Sequence, residues 1–269
     1  MAGKRKASKT SEKKVLPSIA SMKFWSLLKN PGPSIPFVFP DLVDDDEEVD
    51  DDVVDQLSGL TSAPVPDADS TDYSLKITLQ GSNPLVWRRV LTKSLSLEAL
   101  HDAIQLTMGW ENAHLHSFSV CGLDVPAVDD RAEIDEGDIS IGHLVGSNID
   151  HLYYTYDFGD NWLHLIEIEK TLSANPSDIY PCCTEGRGAC PHEDSGGIER
   201  WTQILSLLKR PGTKLTLEEK DSLERIGIGY VPVPFDAERA NELLKRAFQR
   251  KKGNTKSSWY VEPIEKPEN

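Results

Sequence analysis

Apolar and polar residues alternate strictly from Tyr73 to Gln80: Tyr73, Leu75, Ile77 and Leu79 are separated by Ser74, Lys76, Thr78 and Gln80. A period of two puts the first set on one face of a strand and the second on the other. Gly81-Ser82-Asn83-Pro84 supplies turn residues, and a second strand is expected from Leu85 to Leu91. The period then changes. Leu97, Leu100, His101, Ile104 and Met108 fall on one stripe of a helix that Ser96 caps and Gly109 ends. Leu115 to Cys121 reads as the next strand, followed by an acidic loop from Asp129 to Asp138 and one helical turn near His143 to Val145. Leu152 to Asp157 and Leu163 to Lys170 are strands joined by Phe158-Gly159-Asp160-Asn161-Trp162, a hairpin by its turn chemistry. Helices close the pattern. Trp201, Ile204, Leu205 and Leu208 mark one, Thr216 with Glu219 makes a capping box for a second, and Asp236 caps a third with Ala240, Leu243, Leu244, Ala247 and Phe248 inward.

Strands first, one early helix and helices late predict an α+β fold rather than alternating βαβ units. Before Tyr73 the pattern fades. Residues 1–72 read as a disordered charged arm and linker, 73–250 as the folded domain and 251–269 as a polar tail. Within the arm, Ile19, Met22, Trp25 and Leu28 form one short apolar face that Asn30-Pro31-Gly32 stops.

Charge sharpens this division. The chain has 269 residues and a formal net charge of −15, with an apolar fraction of 38%, low for a wholly globular chain. Residues 41–55 carry ten acids and no base. Lys4-Arg5-Lys6 and Lys13-Lys14 make the start basic; such clusters are read by import receptors, grip nucleic acid, or serve as a solvated tail. The acidic body argues against general binding to phosphate backbones and favours a protein partner, leaving the basic arm as the route to nucleic acid. No run approaches a membrane span and the start lacks an apolar signal core, so no membrane partner is expected. Four cysteines make no disulfide framework, and an intracellular, reduced protein of nucleus or cytoplasm is expected.

Candidate chemistry concentrates in a few short stretches. His114 and His116 lie two apart, which on a strand turns both to one side, either as paired donors to a metal or as a half-buried polar strand end. Asp157 and Asp160 sit at the hairpin tip, where Asp caps turns, and His164 follows. Carboxylates near an imidazole suit acid–base work or a hard cation. Glu193 and Asp194 precede Gly196-Gly197, which lets backbone approach closely. Cys182, Cys183, Cys190 and His192 match a tetrahedral zinc donor set; buried or free thiols are the other reading. Trp87-Arg88-Arg89 sits mid-strand, so Arg88 and Arg89 point to opposite faces, and pairing of an arginine with the site carboxylates is expected. Trp162 and Phe118 are expected to wall the cleft, and His101 to be a satisfied core histidine.

Trp87-Arg88-Arg89, the HLHSF of His114 to Phe118 and the stretch from Tyr153 to Gly197 together resemble the plasmid pRiA4b ORF-3-like family, which includes passengers of bacterial insertion sequences. The resemblance runs from about Tyr73 to Phe248 and implies a roll-like mixed sheet packed by helices, with no assigned reaction. The family pattern at the cysteine loop is Pro-Pro-Glu-Asp followed by Cys-Gly-Gly; here His192 replaces the second Pro and Ser195 the Cys.

No phosphate-binding glycine loop, nucleophile elbow or H-E-x-x-H motif occurs. Two readings remain. The first is a non-enzymatic interaction or regulatory module. The alternative is a metal-dependent hydrolase or nuclease-like enzyme built on His114, His116, Asp157, Asp160, His164, Glu193 and Asp194, with a divalent metal as cofactor. Convergence of these side chains separates the two.

Overall fold

The computed structural model describes residues 51–67, 70–127, 133–175, 179–210, 214–227 and 229–250. Its elements run α1 (Asp51–Thr61), β1 (Thr71–Leu79), β2 (Trp87–Thr92), α2 (Leu97–Met108), β3 (His116–Val120), β4 (Leu123–Val125), α3 (Ile141–Gly146), β5 (His151–Tyr156), β6 (Trp162–Ser173), β7 (Cys182–Arg187), α4 (Gly197–Leu208), α5 (Leu217–Arg225) and α6 (Ala237–Arg250). The fold is α+β. Seven strands form one open sheet in the order β4-β3-β5-β6-β1-β2-β7, and every pairing within it is antiparallel.

The alternation at β1 dictates how the sheet is used. Tyr73, Leu75, Ile77 and Leu79 are buried, and they join Val90, Phe118, Val120, Leu152, Tyr154, Tyr156, Trp162 and Ile166 in one core cluster. The other face is wetter, and charged side chains stand opposite one another across its strands. Lys76 Nζ is 3.1 Å from Glu167, Arg89 Nε is 2.7 Å from Glu169, and Arg89 also pairs with Glu185. An antiparallel sheet with one dry and one solvated face is the expected result of such a pattern. Helix α2 is buried nearly all round. Leu97, Leu100 and Ile104 belong to the main core, while Ala103 packs in a smaller cluster with Ala240 and Leu244 of α6. Its ends are those the sequence specifies: Ser96 Oγ accepts from the Ala99 amide, and Gly109 closes the helix in the left-handed region at φ 88°.

Arg88 is the polar exception in this interior, being 1% exposed. Its guanidinium donates from Nε to Thr107 O at 2.8 Å, and from Nη1 to Trp87 O at 2.8 Å and Arg187 O at 2.9 Å. The Phe235 ring lies 4.3 Å from its central carbon. Arg88 therefore ties the end of α2, strands β2 and β7, and the approach to α6. The expected pairing with site carboxylates is not what either arginine does: Arg88 binds backbone carbonyls, and Arg89 pairs with Glu169 and Glu185 on the wet face.

Three elements differ from the sequence expectation. The cysteine segment is a strand, β7, paired to β2 rather than a loop. Its outer edge is covered by α6: Asn241 Oδ1 accepts from Cys183 N at 2.6 Å and Asn241 Nδ2 donates to Cys183 O at 2.9 Å, replacing a neighbouring strand. A short strand, β4, pairs with β3 at the opposite edge. The third is α1, which falls inside the segment expected to be disordered. Leu57 and Leu60 are buried in the main core, with Val53 packed against it. The chain after α1 then lies across α3 so closely that a Cβ on Gly146 would stand 2.3 Å from Pro64 O. Folded structure thus reaches back at least to Asp51. The basic clusters, the Trp25 face and the tail after Arg250 lie outside the described residues. Among the described residues, no helix is long and apolar enough to cross a membrane.

Leu57→Ala is expected to cost about 2–4 kcal/mol of stability through the cavity it leaves, and a chain beginning at Asp72 at least as much. Denaturant melts check this; unchanged midpoints in both would remove α1 from the core. Arg88→Lys keeps the charge but not the fork, and a loss of about 2–4 kcal/mol is expected in the same assay.

Candidate functional site

The chain leaving α2 at Gly109 builds one wall of the site. Trp110 packs its ring 4.9 Å from Tyr156, meets His164 edge-on at 5.4 Å, and donates Nε1–H to Pro191 O at 3.1 Å. Asn112 takes a left-handed conformation (φ 55°), fixed because its amide donates to Gln105 Oε1 and its side-chain oxygen lies 3.0 Å from His101 Nε2. Ala113 N donates to the Tyr156 hydroxyl at 3.0 Å, and that hydroxyl donates to Glu193 Oε1 at 2.5 Å. The Glu111 amide reaches the same carboxylate oxygen at 3.2 Å. These bonds hold the loop that carries His114.

The hairpin tip makes the second wall. Asp157 N donates to Leu115 O, which places Asp157 beside His114. Asp157 is itself left-handed (φ 55°), and its Oδ1 accepts from Gly159 N at 2.9 Å and Asp160 N at 3.3 Å. Asp160 Oδ2 then accepts from Gly196 N at 2.9 Å and ties the tip to the loop before α4. That approach requires Gly197: at φ 78°, a Cβ would stand 2.7 Å from Asp160 O. The same loop delivers Asp194.

Three side chains converge as a result. His114 Nε2 is 3.2 Å from Asp194 Oδ1 and 3.7 Å from Asp157 Oδ2, and one donor atom of each residue lies within 4.8 Å of the others. His114 Nε2 is out of contact with solvent, yet it makes a hydrogen bond of proper geometry to neither carboxylate oxygen. Asp157 is buried, whereas the Asp194 side chain is 76% exposed, so the cluster opens to solvent on one side. One imidazole and two carboxylates are a competent donor set for a divalent cation.

Comparison with known proteins places this chain in a family. The sequence profile described as plasmid pRiA4b ORF-3-like protein matches residues 71–241. The chain belongs to that family. It is 34% identical over 142 residues to the uncharacterized protein y4hQ of Sinorhizobium fredii, an alignment spanning 51% of this chain and 73% of the relative. It is also similar to a crystal structure of a protein of unknown function, MM3350 from Methanosarcina mazei Go1. That match has a TM-score of 0.55 and 32% identity, and covers 63% of this chain and 97% of the other. All three donors, the tip and the Glu193–Gly197 loop lie inside the matched residues of the family.

Not every expected residue is at the site. His114, Asp157 and Asp194 meet, while Asp160 and Glu193 stand behind them and hold the loops. His116 turns inward, because β3 begins only at His116 and strand alternation does not extend back to His114. Its Nε2 lies 3.0 Å from Glu136, and its ring stacks on His101 at 3.6 Å and 8°. His101 is the satisfied core histidine expected: Tyr154 OH donates to Nδ1 at 2.8 Å, and Nε2–H reaches Asn112. His164 is fully buried under Trp110. Trp162 and Phe118 are fully buried in the core; the aromatic ring beside the cluster is that of Tyr156, equally buried, which meets the His114 ring edge-on at 5.9 Å and packs against Trp110. The cysteine set does not gather either. Adjacent strand residues point to opposite faces: Cys183 is buried in the small core beside α6, Cys190 packs against the main core, and His192 Nδ1 lies 2.6 Å from Glu193 O. Among the described residues, the one group of three or more donors is His114, Asp157 and Asp194. Trp110, Tyr156 and Glu136 escaped the sequence reading; the spacing of Trp110 one residue after Gly109 was the available signal.

Burial sets the charge of two of these imidazoles. It pushes His101 down to about 3, helped by the neighbouring His116, and His164 down to about 4. Both are neutral in the folded protein at pH 7, whereas the unfolded chain protonates them below about pH 6.5. The unfolded state therefore binds more protons on acidification, and stability falls as pH drops from about 6.5 toward 4, at up to about 1.4 kcal/mol per pH unit for each histidine. His164→Gln should flatten that slope. A thermal midpoint constant from pH 7 to pH 4 in the native protein would contradict the account.

Proposed function

We propose that this protein is a cation-dependent interaction module. A divalent ion held by His114, Asp157 and Asp194 fastens three loops, 110–115, 157–161 and 191–197, into one binding surface. The observation that carries this reading is the convergence of an imidazole and two carboxylates whose supporting atoms are fixed by other bonds. The exposure of Asp194 favours a binding role over catalysis, because electrostatic stabilisation of a transition state is strongest where water is excluded. Apolar side chains flank the cluster: Leu115 is 75% exposed next to His114, and Phe158 is 38% exposed next to Asp157. Such a mixed rim suits a protein partner. The net charge of −15 weighs against the phosphate backbone as the main ligand of this surface.

A metal-dependent hydrolase is the second reading, favoured by the ligand count. Three protein donors leave coordination positions for water and substrate, as in catalytic metal sites.

A divalent ion at 100 times its dissociation constant should raise the thermal midpoint by about 5–10 °C. The same ion should slow amide hydrogen exchange in all three loops, and His114→Ala and Asp194→Ala should abolish both effects. If no divalent ion moves the midpoint or the exchange of the native protein, the module reading falls. Ion-dependent cleavage of a phosphodiester or ester substrate that disappears in Asp157→Ala would establish the hydrolase instead.

A further inference from the structure

We infer that the cation taken by His114, Asp157 and Asp194 is a borderline first-row transition ion, Zn2+ or Fe2+ in class, rather than Ca2+ or Mg2+. The inference rests on the proposed cation site and adds the identity of its occupant. Ligand chemistry gives the first argument. One of three donors is an imidazole nitrogen, a ligand that suits zinc and iron, whereas Ca2+ and Mg2+ are bound through oxygen.

The second argument comes from what each carboxylate has left to offer. Asp157 Oδ1 is committed to the amides of Gly159 and Asp160, so only Oδ2, the oxygen facing His114, is free for an ion. Asp157 is thus a one-oxygen ligand oriented by its turn. A Ca2+ site gathers six to eight oxygens and commonly uses both oxygens of a carboxylate. Among the described residues no further carboxylate joins the three donors: Glu193 is held by Tyr156 and Glu111, and Asp160 by Gly196. Mg2+ demands oxygen ligands in near-ideal octahedral geometry, and the imidazole occupies one of the few positions offered.

Spacing admits such an ion without separating it from Mg2+, whose bonds are as short, so the selection rests on the donors. Donors around an ion with bonds of about 2.1 Å stand roughly 3.0–3.4 Å apart in octahedral or tetrahedral arrangement. The 3.2 Å between His114 Nε2 and Asp194 Oδ1 already meets this, and the 3.7 Å to Asp157 Oδ2 needs a shift of a few tenths of an ångström. The remaining positions face the solvent side on which Asp194 is exposed.

Cobalt(II) is the probe, since its visible and near-ultraviolet spectrum reports its donors. Titration of the full chain with Co2+, Zn2+, Mg2+ and Ca2+ should give one site for Co2+ and Zn2+, at least about tenfold tighter than for Mg2+ or Ca2+. The Co2+ spectrum should lack the intense thiolate band. His114→Asp keeps three donors but makes them all oxygen, so Co2+ affinity should drop at least about tenfold while the gap to Mg2+ narrows. Mg2+ or Ca2+ binding as tightly as Co2+ would overturn the inference and leave the cation site standing, as would unchanged selectivity in His114→Asp. A thiolate band would move the ion to the cysteines and overturn it. Failure of every ion to bind would remove the proposed site itself.

Discussion

A buried guanidinium is the constraint around which this fold is arranged. Among the described residues, Arg88 has no carboxylate hydrogen-bond partner; its charge is met by carbonyls of Thr107, Trp87 and Arg187 and by the face of Phe235. Burying a cation is costly unless its donors are satisfied, so these segments must stand where the fork reaches them. Thr107 lies in the last turn of α2, whose carbonyl end carries partial negative charge, so the cation also complements the helix. Fixing that end of α2 fixes Gly109 and with it the direction in which Trp110 to His114 leave the helix.

From there the polar interior works outward to the surface. Asn112 is gripped by His101 and Gln105, Ala113 by Tyr156, and Tyr156 in turn by Glu193, so the loop bearing His114 and the loop bearing Asp194 share one chain of hydrogen bonds. His116 and Glu136 do comparable work on the other side of His101, anchoring the segment before α3. A histidine–tyrosine–carboxylate interior of this kind specifies loop geometry at the cost of acid sensitivity, since His101 and His164 are held neutral.

How much of this was legible in the sequence follows from whether a signal is local. Strand β1 and helix α2 were readable because period, cap and stop are all written within a dozen residues. Strand β7 was not: Cys182 to Arg187 has no clean alternation, and its conformation comes from β2 on one side and Asn241 on the other. Helix α1 was hidden by its acids, which outweigh Val53, Leu57 and Leu60 in composition although these stand at i, i+4 and i+7. At the site, acids beside glycine turns are conspicuous in the sequence; of the seven candidates, His114, Asp157 and Asp194 meet, Asp160 and Glu193 hold the loops behind them, and His116 and His164 lie elsewhere. The division of labour among them was invisible. Which oxygen caps a turn and which faces His114 depends on contacts between loops 36 residues apart.

The carboxylates of this protein also show why the His114 cluster differs from ordinary surface charge. Asp72, though buried, is matched by Lys93 at 2.8 Å and by the Tyr180 hydroxyl, and its pKa is held down despite burial. Glu136 is matched by His116, and Glu169 by Arg89. Each of these acids has a nitrogen or hydroxyl partner at hydrogen-bonding distance. Asp157 and Asp194 instead face the same single imidazole, and its nitrogen bonds neither well. Carboxylates gathered this closely repel one another, and the single imidazole beside them makes a hydrogen bond to neither. The arrangement persists because Asp160, Gly197 and Tyr156 hold the loops from behind. The proposed cation would supply positive charge from solvent at this point and use the His114 nitrogen that the surrounding hydrogen bonds leave over.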